Sequence, residues 1–297
     1  MWTVEQRSSS PIQYHPAMNL MLVNQTLLEV KYITGSATLA PIVFLHEGLG
    51  SVSLWKQRGS DWPEAVCAAT GRAGLVYSRR GYGQSAAAAP LSASNGHPAL
   101  LPADYMHQEA RMVLPALLRH LKSHLQSQFQ SHQDFAQPDF DKPVLLGHSD
   151  GATIALLYAS ALPVTACIAM APHVVVEPVA IQAISGAKTA FESGGLRAGL
   201  ARHHADPDGA FWQWNDVWLS PAFKSFDIQA DCSAITAPLL LIQGLQDEYG
   251  SLLQLDAIAQ AAPHARQLRL ADCGHSPHRD QAALTAAAVV NFLTKLD

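Results

Sequence analysis

A lone serine stands between two glycines in Gly147-His148-Ser149-Asp150-Gly151, one glycine two places before it and one two places after. A chain that turns sharply enough to project a hydroxyl leaves no room for side chains at those two places. A serine hydroxyl is a weak nucleophile at neutral pH. The pattern therefore predicts a base to take its proton and an acid to orient that base. Asp247 is the candidate acid, in Gly244-Leu245-Gln246-Asp247-Glu248-Tyr249-Gly250. Its neighbour Glu248 stays open as the alternative. Asp247 is preferred because its side chain is shorter and it leaves the preceding apolar run first. His275 is the candidate base, in Asp272-Cys273-Gly274-His275-Ser276-Pro277-His278. Its rival His278 reads better as a capping or surface histidine. Attack on a carbonyl carbon would create a negative oxygen, which N–H donors fixed in advance must meet. The N–H of Asp150, directly after the serine, is one expected donor. Gly48, in His46-Glu47-Gly48-Leu49-Gly50-Ser51, supplies the other.

The elements that must hold these residues follow from hydrophobic spacing. Apolar runs at 41–46, 74–79, 144–146, 164–170, 238–243 and 267–271 read as buried strands. A hairpin is expected from 19–23 and 26–33. Helices are expected over 54–70 (with Pro63 as an early turn or kink), 103–128, 152–161, 251–261 and 280–296. The alternation predicts an α/β fold, a mostly parallel twisted sheet covered by helices on both faces. Each candidate residue lies just beyond a strand, where open α/β sheets bind ligands. The rhythm breaks from 171 to about 230, with helical patches at 179–193 and 196–204 and an aromatic cluster, Phe211, Trp212, Trp214, Trp218 and Phe223. Residues 1–170 and 231–297 are therefore read as one α/β core domain and 171–230 as a helical cap inserted into it. Residues 1–17 read as an arm, 86–102 as an Ala/Ser/Pro-rich loop and 131–142 as a polar connector.

Composition bounds the function. The chain has 297 residues, 48% apolar and only 14% charged, enough for a large core. A net charge of −5 argues against a nucleic-acid binder, which would carry a basic stripe. Cys67, Cys167, Cys232 and Cys273 have no zinc-like spacing and read as reduced core thiols. His173, His203 and His204 fall in or near the insertion without the spacing of a ligand set, so no metal is expected. His148 is expected to pack beneath the serine's turn. No apolar leader follows a basic start, and no uncharged apolar run is long enough to span a bilayer. The expectation is a soluble cytoplasmic protein whose partner is a small-molecule substrate, with no nucleic acid and no membrane.

The motifs FLHEGLGS, YSRRGYGQS, LLGHSDG, QGLQDEYG and DCGHSPH together resemble those of α/β-hydrolase fold serine hydrolases, from the His46 loop through His275. The resemblance implies a cap domain where the insertion falls and no cofactor. The relatives it implies are esterases and the hydrolases that cleave carbon–carbon bonds in aromatic degradation. Three functions follow: ester hydrolysis, carbon–carbon hydrolysis by the same residues on a dienoic keto acid, and binding of a small molecule without catalysis. The second would need a cation for the substrate carboxylate, for which Arg79, Arg80 and Arg197 are the candidates. Candidate substrate contacts are Glu47, Trp214 and Tyr249, although the Trp214 cluster serves equally as the core of the inserted helices.

One departure stands out. The family loop reads His-Gly where this chain has His46-Glu47. A carboxylate there would oppose the developing charge, so Glu47 is expected to turn away and pair with Arg79 or Arg80. The alternative is a protonated Glu47 that binds substrate. Asp150 adds a second carboxylate, expected to cap the turn or helix that follows.

Overall fold

The structure is a computed structural model that describes residues 19–57, 59–87, 101–129 and 138–297. The expected arm and parts of the Ala/Ser/Pro-rich loop and the polar connector lie outside the described residues. Eight strands form the main sheet: β1 (Asn19–Val23), β2 (Thr26–Ile33), β3 (Ile42–Leu45), β4 (Gly74–Tyr77), β5 (Val144–His148), β6 (Ala166–Met170), β7 (Leu239–Gly244) and β8 (Arg266–Leu270). Their spatial order is β1-β2-β4-β3-β5-β6-β7-β8. The β1–β2 and β2–β4 pairs are antiparallel and every later pair is parallel.

The central strands read as unbroken apolar runs because both faces are covered. Every residue of β3, β5 and β6 is buried. The pleat then divides them. Val43 and Leu45 face one core layer with Leu145 and Leu75, while Ile42 and Phe44 face the other with Val144, Leu146 and Val76. The helices α1 (Trp62–Thr70), α2 (Leu114–Phe129) and α3 (Asp150–Ala159) follow β3, β4 and β5. In the parallel part of the sheet the strands run the same way, so the turns after β3, β5 and β7 and the loop after β8 leave from one edge.

The first expected helix begins later than its apolar pattern suggested. Val52–Trp55 form a 3₁₀ turn, Lys56–Gln57 pair antiparallel with Ser60–Asp61, and α1 starts at Trp62, where Asp61 caps it by accepting from the Glu64 N–H (3.2 Å). Pro63 therefore lies in the first turn, where its missing N–H costs nothing. Between β6 and β7 the chain forms α4 (Pro178–Glu192), α5 (Gly195–Leu200) and α6 (Pro207–Leu219). The aromatic cluster is thus largely a helix, with Phe211, Trp214 and Trp218 buried at helical spacing. α7 (Leu253–Ala261) follows β7. The expected last helix is split into a short turn, Pro277–Asp280, and α8 (Ala282–Thr294). All four cysteines are free and buried. No described helix is long and apolar enough to cross a membrane.

Candidate active site

β5 ends in a sharp turn at Ser149. Ser149 has φ 54° and ψ −120°, a strained conformation for a residue with a side chain. A Cβ on Gly147 would lie 2.1 Å from the Gly151 oxygen, and one on Gly151 would lie 2.1 Å from the Leu45 oxygen. Neither contact is with a side chain that could move, so both positions require glycine. The Ser149 N–H donates to Met170 O on β6 (2.9 Å), which pins the turn to the next strand.

The three residues expected to act together do meet. His275 Nε2 lies 2.9 Å from Ser149 Oγ, and His275 Nδ1 lies 2.8 Å from Asp247 Oδ1. With Nδ1–H donating to the carboxylate, Nε2 is left to accept from the serine hydroxyl. Asp247 Oδ1 also accepts from the N–H groups of Tyr249 (2.9 Å) and Gly250 (3.2 Å), and Oδ2 accepts from Gln243 Nε2 (3.1 Å). Burial would raise the Asp247 pKa. The hydrogen bond and charge of His275, helped by the Tyr249 N–H, win and hold it below the usual carboxylate range. Glu248 takes another part: its Oε2 accepts from the His275 backbone N–H (3.2 Å), not from the ring.

His278 is neither capping nor exposed. It is buried against the rings of Trp55 (4.8 Å) and His148 (4.7 Å), and burial drives its pKa well down. His173 packs 5.6 Å from the His275 ring, and burial lowers its pKa to about 3, so it stays uncharged. His204 bridges two loops, with Nδ1 accepting from the Gly83 N–H (2.9 Å) and Nε2–H donating to Leu49 O (3.0 Å). Among the described residues no group of His, Cys, Asp or Glu is arranged to hold a metal ion.

Asp150 opens α3, so its N–H has no partner inside the helix. Gly48 lies in the loop after β3, closed by the Gly50 N–H to Glu47 O bond (3.0 Å). The indole of Trp214, on α6, rests directly on Gly48: a Cβ there would sit 2.1 Å from Trp214 Nε1. The inserted helices therefore touch the loop that carries the expected donor. Tyr249 lies on the other flank, its ring 4.7 Å from that of His275.

Glu47 does turn away, but to different partners. Its Oε1 accepts from Arg279 Nη2 (2.8 Å), and its Oε2 lies 3.3 Å from His148 Nδ1. Arg79 reaches only the Glu47 backbone oxygen (3.0 Å), and Arg80 is exposed. The physical reason is the crowding of the loop. His46 takes the Arg79 N–H (3.0 Å) and the Arg79 guanidinium is drawn to Asp150 (3.6 Å), so the cation in reach of Glu47 comes from the His275 loop. Burial would raise the Glu47 pKa, but Arg279 and His148 hold it well below the usual value, against a protonated Glu47. Asp150 caps nothing. It is buried, its Oδ2 accepts from Tyr105 Oη–H (2.6 Å), and burial raises its pKa despite Arg79. Arg197 is spent on the surface, paired with Asp208 through Nε (2.8 Å) and Nη2 (2.5 Å).

Sequence reading missed Gln243, Arg279 and Tyr105. Gln243 carried a signal, a lone polar residue ending the apolar run of β7, and it is fully buried beneath Asp247. Arg279 and Tyr105 carried none.

The profile of the alpha/beta hydrolase family matches residues 42–288. No curated protein matches the chain. Among solved structures, the chain is similar to an enol-lactonase from Burkholderia xenovorans LB400 (TM-score 0.65, 19% identity, 93% of this chain and 100% of that one). It is also similar to a meta-cleavage product hydrolase from Pseudomonas fluorescens IP01 (TM-score 0.65, 14% identity, 94% and 98%). A thermophilic esterase from Thermogutta terrifontis is a third (TM-score 0.62, 16% identity, 94% and 98%). At these identities the likeness is one of fold.

Proposed function

The chain belongs to the alpha/beta hydrolase family, and on that premise we propose that it is a serine hydrolase cleaving a small carboxylic ester through an acyl-enzyme. Ser149 Oγ attacks the carbonyl carbon while its proton passes to His275 Nε2. The bond to the leaving oxygen breaks, and the imidazolium returns the proton to it. Water then repeats both steps on the acyl-enzyme, releasing the acid and restoring Ser149. Asp247, held ionised, keeps the imidazole in the useful tautomer and stabilises its charged form. The N–H groups of Gly48 and Asp150 hold the oxyanion, each worth about 10²–10³ in rate. The helices within 171–230 act as a cap, Trp214 is the roof above Gly48, and Tyr249 is the wall beside His275.

The observation that carries this reading is the unbroken run from Asp247 through His275 to Ser149, with links of 2.8 and 2.9 Å. The test is turnover of short-chain aryl esters. Wild type should hydrolyse them and acquire a fluorophosphonate on Ser149, while Ser149→Ala should lose on the order of 10⁴-fold or more. Equal turnover by the two proteins would end the proposal.

A second reading keeps the same three residues but breaks a carbon–carbon bond of a keto acid. One observation favours it. Arg79 is buried, its Nη1 has no partner among the described residues, and its Nη2 lies 3.6 Å from Oδ2 of Asp150, the residue after Ser149. Turnover of an aromatic ring-cleavage product, with aryl esters left intact, would select this reading.

A further inference from the structure

We propose that Glu47, His148 and Arg279 form an ion-paired clamp that positions His275 by its backbone, with His148 held in it as an imidazolium carrying a hydrogen on both ring nitrogens. The proposal rests on the reading above that His275 is the base. It concerns what holds that base in place, and no step of the chemistry is assigned to the clamp.

The argument is an inventory of hydrogens. His148 is the residue before the nucleophile and is buried. Its Nε2 lies 2.7 Å from the backbone oxygen of His275. A carbonyl oxygen only accepts, so Nε2 carries a hydrogen. Its Nδ1 lies 3.3 Å from Glu47 Oε2. Two acceptors cannot share that line, so one hydrogen lies between them. Glu47 also takes the Arg279 guanidinium on its other oxygen (2.8 Å), and that cation keeps the carboxyl ionised. The hydrogen therefore belongs to His148. Arg279 is anchored in turn by donating to Leu54 O (3.2 Å).

The clamp ties together the three loops that the proposed chemistry must keep in register. Glu47 precedes the Gly48 donor, His148 precedes Ser149, and Arg279 follows His275 on its own loop. The other titratable groups around His148 do not compete for the carboxylate. His278 and His173 are kept uncharged by burial, and His275 offers His148 its backbone oxygen. Two cations against one carboxylate also answer the departure from His-Gly: Glu47 stands beside an oxyanion site without presenting net negative charge to it.

The test separates the hydrogen bond from the charge. In His148→Gln an amide N–H can still reach the His275 oxygen, but the positive charge is gone; in His148→Leu both are gone. With Ser149 still labelled by fluorophosphonate in each, His148→Gln should lose about 10-fold in kcat with little change in KM. His148→Leu should lose about 100-fold. Independently of turnover, imidazole ¹⁵N spectra of the wild type should show both His148 nitrogens protonated at neutral pH, and Glu47→Gln should remove one of those hydrogens. A singly protonated His148 in the wild type, or wild-type kinetics in both His148→Gln and His148→Leu, overturns the clamp. A wild type inactive on every ester but with a doubly protonated His148 overturns the esterase reading and leaves the clamp standing.

Discussion

Glu47 precedes one proposed oxyanion donor, and Asp150 is itself the other, so each brings a carboxylate to the place where negative charge would develop. The protein settles them in opposite ways. Glu47 is half-buried and held by two partners, the Arg279 guanidinium at 2.8 Å and the His148 ring at 3.3 Å, which keep its pKa well down. Asp150 is fully buried, and its nearest cation, Arg79, stands 3.6 Å away. A tyrosine hydroxyl donates to one of its oxygens (2.6 Å). Burial wins there and the pKa rises. Ion pairing makes a charge tolerable beside the site; burial without close pairing works to remove it.

The largest effect should come from taking the cation from Glu47. Arg279→Leu leaves the carboxylate with His148 alone. Removing one partner of a well-buried pair costs about 3–5 kcal/mol. Arg279 and Glu47 keep some solvent contact, so about 2 kcal/mol in urea unfolding and roughly a 100-fold fall in kcat/KM are expected. The sharper form is a cycle with Glu47→Gln. If Arg279 acts by neutralising Glu47, the arginine should matter much less once the charge is gone, with a coupling above about 1 kcal/mol. Additive losses would show that Arg279 serves Leu54 and the packing instead.

Gly48→Ala attacks the same loop without touching charge. Its Cβ would land 2.1 Å from Trp214 Nε1, so either α6 or the Gly48 backbone must shift. A loss of about 10–100-fold in kcat is expected, because a displaced donor no longer meets the oxyanion. Kinetics unchanged from wild type would mean that Gly48 is not a donor.

What could be read in advance was local or steric. The turn at Ser149 is written in five consecutive residues because its glycines answer contacts within the turn and with β3. Asp247 and His275 were legible because each follows a strand, and strands order themselves. The partners of Glu47 were not legible. Arg279 lies 232 positions away along the chain, and whether it or Arg79 arrives depends on how three loops settle against each other. Tyr105 is hidden in the same way, 45 positions from Asp150. α6 was missed for a different reason. Its aromatic residues have helical spacing, but between loops an aromatic cluster reads as readily as a pocket lining.

On the Asp150 side the effects should be smaller. Tyr105→Phe removes the 2.6 Å hydrogen bond and leaves a buried oxygen with no donor. That should cost about 1–3 kcal/mol of stability and change kcat only a few-fold, because the Asp150 N–H stays in place. A larger fall in kcat than in stability would mean that the side chain, not only the backbone, takes part in the reaction.

The smallest effect is the slope of stability against pH, and there the two carboxylates should part in sign. Glu47 has a folded pKa below its unfolded one. Its contribution is complete above the ordinary carboxylate range and is lost as pH falls through the folded value. Asp150 has a folded pKa above its unfolded one. The folded state holds that proton more tightly, so stability falls as pH rises from the ordinary carboxylate range through the folded value. Urea unfolding at about pH 4 and about pH 7 should therefore show Glu47→Gln losing most at neutral pH and converging on wild type in acid. Asp150→Asn should fare relatively better at neutral pH than in acid, because the amide has no charge to bury, although Arg79 then gives up its neighbour. Each difference should be about 1 kcal/mol, the scale of one displaced carboxylate titration. Parallel pH profiles for the two variants would mean that the carboxylates are handled alike, and the contrast between pairing and burial would be lost.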